Sequence, residues 1–429
     1  MDSPSVHLIP PEPHSIEDTG LNTASLSNLA LKTMYVRGFL SGHDIAEALK
    51  LPFANVVDRA LEFLRREHLS EVRGAAGGIS ESSYQYVISD KGRARARELM
   101  NDDGYVGPAP VTLTSYVQAV KVQSVSGQPI TPDTIRDATR HLVLSDAIFN
   151  QVGPAVNSAK SIFLHGRPGN GKTALAEAIG TMLHGNIFVP HAINADGHII
   201  KLFDPLNHRP IEGDAAAAGL KRGERFDRRW VLVRRPVIIA GGELTLDSLD
   251  LVFDQNNRFY EAPYQMKANG GLFLIDDFGR QQVRPRDLLN RWIIPLEKRI
   301  DYLTLTNGRK VEVPFDALIV FATNLDPADL VDEAFLRRIR YKIELPDPTW
   351  EQYREIFINC CQERGIPYND DALRHLITEQ YVKTRRKPRS VHPRDILDEL
   401  VDIARYRGVA PALSPELLDQ ACATYFLKE

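Results

Sequence analysis

The stretch "HGRPGNGKT" and the residue after it, Gly166, Arg167, Pro168, Gly169, Asn170, Gly171, Lys172, Thr173 and Ala174, can cradle phosphate. Four residues separate Gly166 from Gly171, and Lys172 and Thr173 follow at once. Glycines let the backbone bend around an oxyanion so that successive N–H groups point inward. Lys172 adds a mobile positive charge for the outer phosphates, and the Thr173 hydroxyl can hold Mg²⁺. Further along, the apolar run "LFLIDD" ends in two carboxylates. Asp276 suits the metal, generally through water, and Asp277 can orient and deprotonate an attacking water. Spacing and chemistry point to a bound nucleotide whose terminal phosphate is hydrolysed.

Such chemistry needs a scaffold, and the flanks predict one. "SIFLHG" is a strand feeding the glycine-rich loop, and "TALAEAIGTML" is a helix that opens straight after it. The helix dipole and its free N–H groups then face the phosphates. Across residues 116–345, short apolar strands alternate with helical stretches, which predicts an α/β fold with a parallel sheet and helices on both faces. The clearest strands are "SIFLHG", "RRPVIIAG", "GGLFLIDD" and "DALIVFATN". Two hairpins interrupt the alternation, one with Asp-Gly at its tip (Asp196, Gly197) and one with Asn-Gly (Asn307, Gly308). Residues 346–429 are predicted to be helical throughout. Residues 1–24 read as a disordered tail. A compact unit follows at 25–100, and 101–115 reads as a linker from its Asp, Gly and Pro content.

The 25–100 unit resembles a winged helix in its order of helix, turn, helix, strand, Gly/Ser loop, strand and closing helix "YVISDKGRARARELM". Residues 116–429 resemble the AAA+ ATPase superfamily, and "ANGGLFLIDDFGR" is similar to the matching stretch of MoxR-like proteins and enhancer-binding activators. The resemblance implies ATP and Mg²⁺ as cofactors, with Thr173 and Asp276 at the metal. "FATN" looks like sensor 1, which implies that Asn324 helps hold the hydrolytic water. "FLRRIRYKIELP" looks like an arginine-finger segment, with Arg338 the best match and Arg337 the runner-up. "SVHPRDILDEL" looks like sensor 2, whose arginine is Arg394. The hairpin before "FATN" is similar to the insertion of the pre-sensor-1 hairpin group. Two departures stand out. Asp277 replaces the usual glutamate and is one methylene shorter, and Arg167 stands where proline is common. A finger supplied in trans implies a homo-oligomeric ring, a hexamer by resemblance.

A net charge of −4, with 43% hydrophobic and 25% charged residues, gives no global reason for nucleic-acid or membrane binding. No apolar run reaches the roughly 18 residues of a membrane-spanning helix, and the N-terminus lacks signal-peptide regions. Three cysteines cannot build a disulfide framework, which fits a cytoplasmic protein. Cys360 and Cys361 read as small hydrophobes on one helix. The 25–100 unit carries eleven Lys and Arg against nine Asp and Glu. Its central helix mixes Arg59, Arg65 and Arg66 with Asp58, Glu62 and Glu67, the pattern of a solvated face. Docking on a protein partner is therefore favoured over DNA. Two basic runs, 221–229 and 383–389, read as exposed loops. The function expected is an ATP-driven remodelling machine. A DNA-linked ATPase and a slow nucleotide switch are the alternatives.

Overall fold

The computed structural model describes residues 8–75, 81–127, 129–211, 225–330 and 336–426. The apolar runs become five strands: β1 (Ile162–His165), β2 (Val237–Ala240), β3 (Leu272–Ile275), β4 (Leu318–Thr323) and β5 (Tyr341–Glu344). All are parallel, in the order β2-β3-β4-β1-β5. The chain is thus α/β, as its alternating pattern predicts. Strands buried on both faces read as continuous apolar runs because helices cover each side. Leu272 and Leu274 pack on one face with Val152, Leu175 and Ile179 of the covering helices. Phe273 and Ile275 pack on the other with Leu288, Leu289 and Trp292. This period of two is the pleat of the strand itself.

An insertion stands between helix Lys172–Met182 and β2. It holds an antiparallel ribbon, Asn186–Pro190 against Trp230–Arg234, and the Asp-Gly hairpin Ala192–Ala195/His198–Lys201. The Asn-Gly hairpin, Ile300–Thr304/Lys310–Pro314, precedes β4. Both hairpins form as read, and their tips meet where Arg309 reaches Asp196 at 2.8 Å. The sequence did not show that the first hairpin joins a second five-stranded sheet, which draws in Val111–Thr112 from the segment read as a linker.

The N-terminal unit has helices Thr23–Arg37, Gly42–Leu49, Asp58–Arg66 and Asp90–Asp102 around a three-stranded sheet of Leu40–Ser41, Tyr84–Ile88 and Ser70–Ala75. Ser41 caps its helix in a capping box with Asp44. The central helix starts only at Asp58, because Ala54 is extended and Asn55 is left-handed (φ 64°). The Gly/Ser loop at 76–80 lies outside the described residues. So do residues 1–7 of the segment read as a disordered tail. The rest of that segment is packed: Ile16 and Leu21 are buried against Leu26 and Tyr105, and Gly20 closes a short turn. The Asp227 N–H also donates to the Pro10 carbonyl at 2.9 Å, a contact that the composition hid. Residues 101–115 are packed as well, with Tyr105 and Ala109 buried and Asp103 paired to Lys32 at 2.8 Å.

Arg229 locks this unit to the insertion. It is only 4% exposed, pairs with Asp227 at 2.7 Å, and donates to the carbonyls of Thr19 and Pro110. Arg228 reaches Glu47 at 2.6 Å. Of the basic run 221–229, Arg225 and Arg228 are exposed as expected, whereas Arg229 is buried; residues 221–224 lie outside the described set. Arg229→Ala would leave a buried carboxylate unpaired, and breaking such a pair costs about 3–5 kcal/mol. Urea unfolding should show that loss, and a midpoint equal to that of the parent would refute the lock.

Residues 346–426 are helical, with Trp350–Glu363, Asp370–Ile377, His392–Arg407 and Pro415–Tyr425 around one core. Cys360 and Cys361 are free and buried there, as expected of small hydrophobes, and Cys422 is free and buried with them. Burial pushes the Cys361 and Cys422 thiols up to about 12. Among the described residues, no helix is long and apolar enough to cross a membrane.

Candidate functional site

Register decides which side chains meet. β4 lies between β1 and β3, pairing Thr323 with His165 and Phe321 with Ile275. The residues leaving the carboxyl ends of these three strands are the glycine-rich loop, Asp276–Asp277 and Asn324. The sequence scattered them; the sheet gathers them.

The loop ends where Gly171 (φ 83°) opens helix Lys172–Met182. The first N–H groups of any helix have no intrahelical acceptor, so Lys172, Thr173 and Ala174 present donors at its amino end. Gly166 (φ 140°) cannot be replaced, since a Cβ there would lie 2.3 Å from the carbonyl oxygen of Leu345. Lys172 is nearly buried and its ammonium donates to the carbonyls of Gly166 (3.0 Å) and Arg167 (2.9 Å). Burial lowers its pKa, while the Asp277 and Asp276 carboxylates nearby oppose that shift. The lysine is thus folded back onto its own loop.

The Thr173 hydroxyl donates to Asp276 Oδ2 at 2.9 Å. Asn324 Nδ2 donates to Asp277 Oδ1 at 2.9 Å. Asp277 adopts a left-handed backbone (φ 48°), a conformation that Asp tolerates better than most residues and that turns it away from the strand line. Gln281 holds this turn by donating to the Asp276 carbonyl (2.7 Å) and accepting from the Gly279 N–H (2.8 Å). Sequence reasoning passed over Gln281, which has no motif value of its own.

Arg338 stands elsewhere. It precedes the amino end of β5, its carbonyl accepts from Ser161 just before β1, and its guanidinium pairs with Glu297 at 2.7 Å. It is therefore at the end of the sheet opposite the loop. Arg337 beside it is exposed. Arg394 is 61% exposed and pairs with its neighbour Asp395 at 3.0 Å. The residues of the C-terminal helical segment bonded to the loop are instead Ser390 and Val391, and Arg389 beside them bonds Asp347. The basic run 383–389 is thus not simply an exposed loop. Arg389 is 20% exposed and bonded to Asp347, and Arg386 covers the Phe426 ring at 3.8 Å. A cleft of about 490 Å³ opens beside the loop, bounded by Arg167, Asn324, Asp347 and Lys387. Among the described residues, no group of three or more His, Cys, Asp and Glu side chains forms a metal cluster.

A family described as a domain of unknown function (DUF8689) matches residues 349–424. Spastin of Drosophila grimshawi is 26% identical over 318 residues, covering 72% of this chain and 31% of that protein. Spastin of Drosophila persimilis is 25% identical with the same coverage. The chain thus spans about a third of the length of the curated relatives it matches. Among solved structures, NtrX from Brucella abortus in complex with ADP aligns with a TM-score of 0.39 and 14% identity, covering 66% of this chain and 56% of that one. The likeness to spastins runs through most of the chain, and the loop, acidic pair and strand-end asparagine converge in one place.

Proposed function

We propose that the chain is an ATPase subunit that binds ATP with Mg²⁺ and couples hydrolysis to the remodelling of a protein partner. One observation carries the reading: Thr173, Asp276, Asp277 and Asn324 are linked by hydrogen bonds and adjacency at the mouth of the phosphate loop. Gly166 to Ala174 would hold the phosphates through backbone N–H groups, with Lys172 swinging onto the outer ones. Thr173 and Asp276 offer hard oxygen donors that suit Mg²⁺, which when bound neutralises charge on the phosphates. Asp277 would take the proton of the attacking water, and Asn324 would hold Asp277 and that water in line. Arg338, with Arg337 as the runner-up, would serve a neighbouring subunit in a ring, a hexamer on the AAA+ resemblance. Arg394 would contribute from the lid once nucleotide draws the lid in.

We read 25–100 as a winged-helix-like module, 116–345 as the nucleotide-binding domain and 346–429 as its lid. The hairpin Ile300–Thr304/Lys310–Pro314 supports the pre-sensor-1 hairpin group and, within it, a MoxR-like relative. Protein docking by the N-terminal module is preferred over DNA because its central helix spends its charges internally, Arg66 and Arg59 both pairing with Glu62. A cytoplasmic setting suits three unpaired cysteines. Lys172→Ala tests the nucleotide reading. It should weaken ATP affinity by at least tenfold, since charge-assisted phosphate bonds are the strong ones. Calorimetric affinity within threefold of the parent would sink the assignment.

A further inference from the structure

Asp347 follows β5 and is the point where three parts of the chain meet. One of its oxygens, Oδ1, accepts from Asn170 Nδ2 in the phosphate loop (3.0 Å) and from Arg389 in the lid (2.6 Å). The other oxygen lies 3.8 Å from Arg167. Asp347 and Arg389 are both 20% exposed, so the pair is largely shielded from water. The two residues after Arg389 continue the grip. Ser390 N–H donates to Asn170 Oδ1 at 3.5 Å, and Val391 N–H donates to the Gly169 carbonyl at 2.8 Å. A Cβ on Gly169 would stand 2.6 Å from the Val391 side chain, so only glycine permits this approach. The loop's middle is therefore held from outside by a lid strap more than 200 residues away in sequence.

We propose that Asp347 and Arg389 form an ionic latch that closes the lid strap on the phosphate loop and sets how long a nucleotide stays bound. The inference rests on the nucleotide-binding reading. Its electrostatics are specific. An unpaired Asp347 beside Asn170 would place an anion next to a polyphosphate, and Arg389 cancels that charge while tying the lid down. Arg167, where related loops carry proline, adds a second cation on the free oxygen. Both residues are positioning residues: they hold Asn170 and Gly169 and need not touch the nucleotide.

The test is the release rate of a fluorescent ADP analogue from the full chain, chased with excess ATP in a stopped-flow instrument. Asp347→Asn and Arg389→Gln should each speed release about tenfold. The double variant should be no faster than the faster single one, because two residues sharing one interaction are not additive. Arg389→Lys keeps the charge and should return release to within about threefold of the parent, which a misfolded lid would not do. Release within twofold of the parent in both single variants, single effects that multiply in the double one, or no recovery with lysine would each overturn the latch. A parent that fails to bind the analogue would strike the nucleotide reading itself, and the latch with it. Unchanged release from a parent that does bind strikes the latch alone.

Discussion

Asp277→Asn should bind ATP as the parent does while its hydrolysis falls by about 10²–10⁴-fold, the usual contribution of a positioned general base. The substitution keeps the shape of the side chain and leaves the turn to Gln281, which bonds Asp276 and Gly279 rather than Asp277. What disappears is the proton acceptor and the charge that orients the Asn324 amide. Asp276→Asn should behave differently. It removes the anionic partner of the Thr173 hydroxyl and should raise the Mg²⁺ concentration needed for turnover. Phosphate release and nucleotide binding, measured side by side over a Mg²⁺ titration, separate the two. If both variants hydrolyse ATP like the parent, the acidic pair is only a strand end and the catalytic reading is wrong.

Much of this site was legible because its signals are local. A loop whose glycines permit positive φ, followed by lysine and a helix, is written in ten consecutive residues. The buried strands announce themselves as unbroken apolar runs because both faces are covered. The latch was not legible, and the reason is physical. Asp347 and Arg389 are 42 residues apart, and an arginine in "KTRRKPR" looks solvated until its partner is known. Arg229 illustrates the same limit, since a basic cluster in sequence became a buried pair that ties Thr19 to Pro110. The segment 8–24 looked unstructured by composition, yet Ile16 and Leu21 find a core supplied by residues far along the chain. Local pattern reports an element; only the fold reports which partner a charge or an isolated apolar side chain will find.

The proposed ring turns the position of Arg338 into a test. β5 runs parallel to β1, whose far end feeds the phosphate loop, and Arg338 lies before the amino end of β5. A strand of four residues spans about 13 Å at roughly 3.3 Å per residue, so the chain's own loop is at least that far from Arg338. The Glu297 carboxylate at 2.7 Å holds the guanidinium on that side. A γ-phosphate presented by an adjacent subunit is the target that geometry leaves open. Arg338→Ala is therefore expected to bind ATP normally and to hydrolyse it about 10³–10⁵-fold more slowly, the effect of an arginine finger in related phosphoryl transfers. Lys172→Ala fails for the opposite reason: it keeps Arg338 but cannot hold ATP. Mixed rings of the two should recover activity, because a subunit with an intact loop can sit beside a subunit with an intact finger. The readout is phosphate release against mixing ratio, under conditions where labelled subunits are seen to exchange. Recovery peaking near equal amounts supports the finger in trans. No recovery at any ratio, with exchange proven, would mean that Arg338 is not the finger or acts within its own subunit. Repeating the mixture with Arg337→Ala separates those outcomes, since recovery there alone moves the finger by one residue.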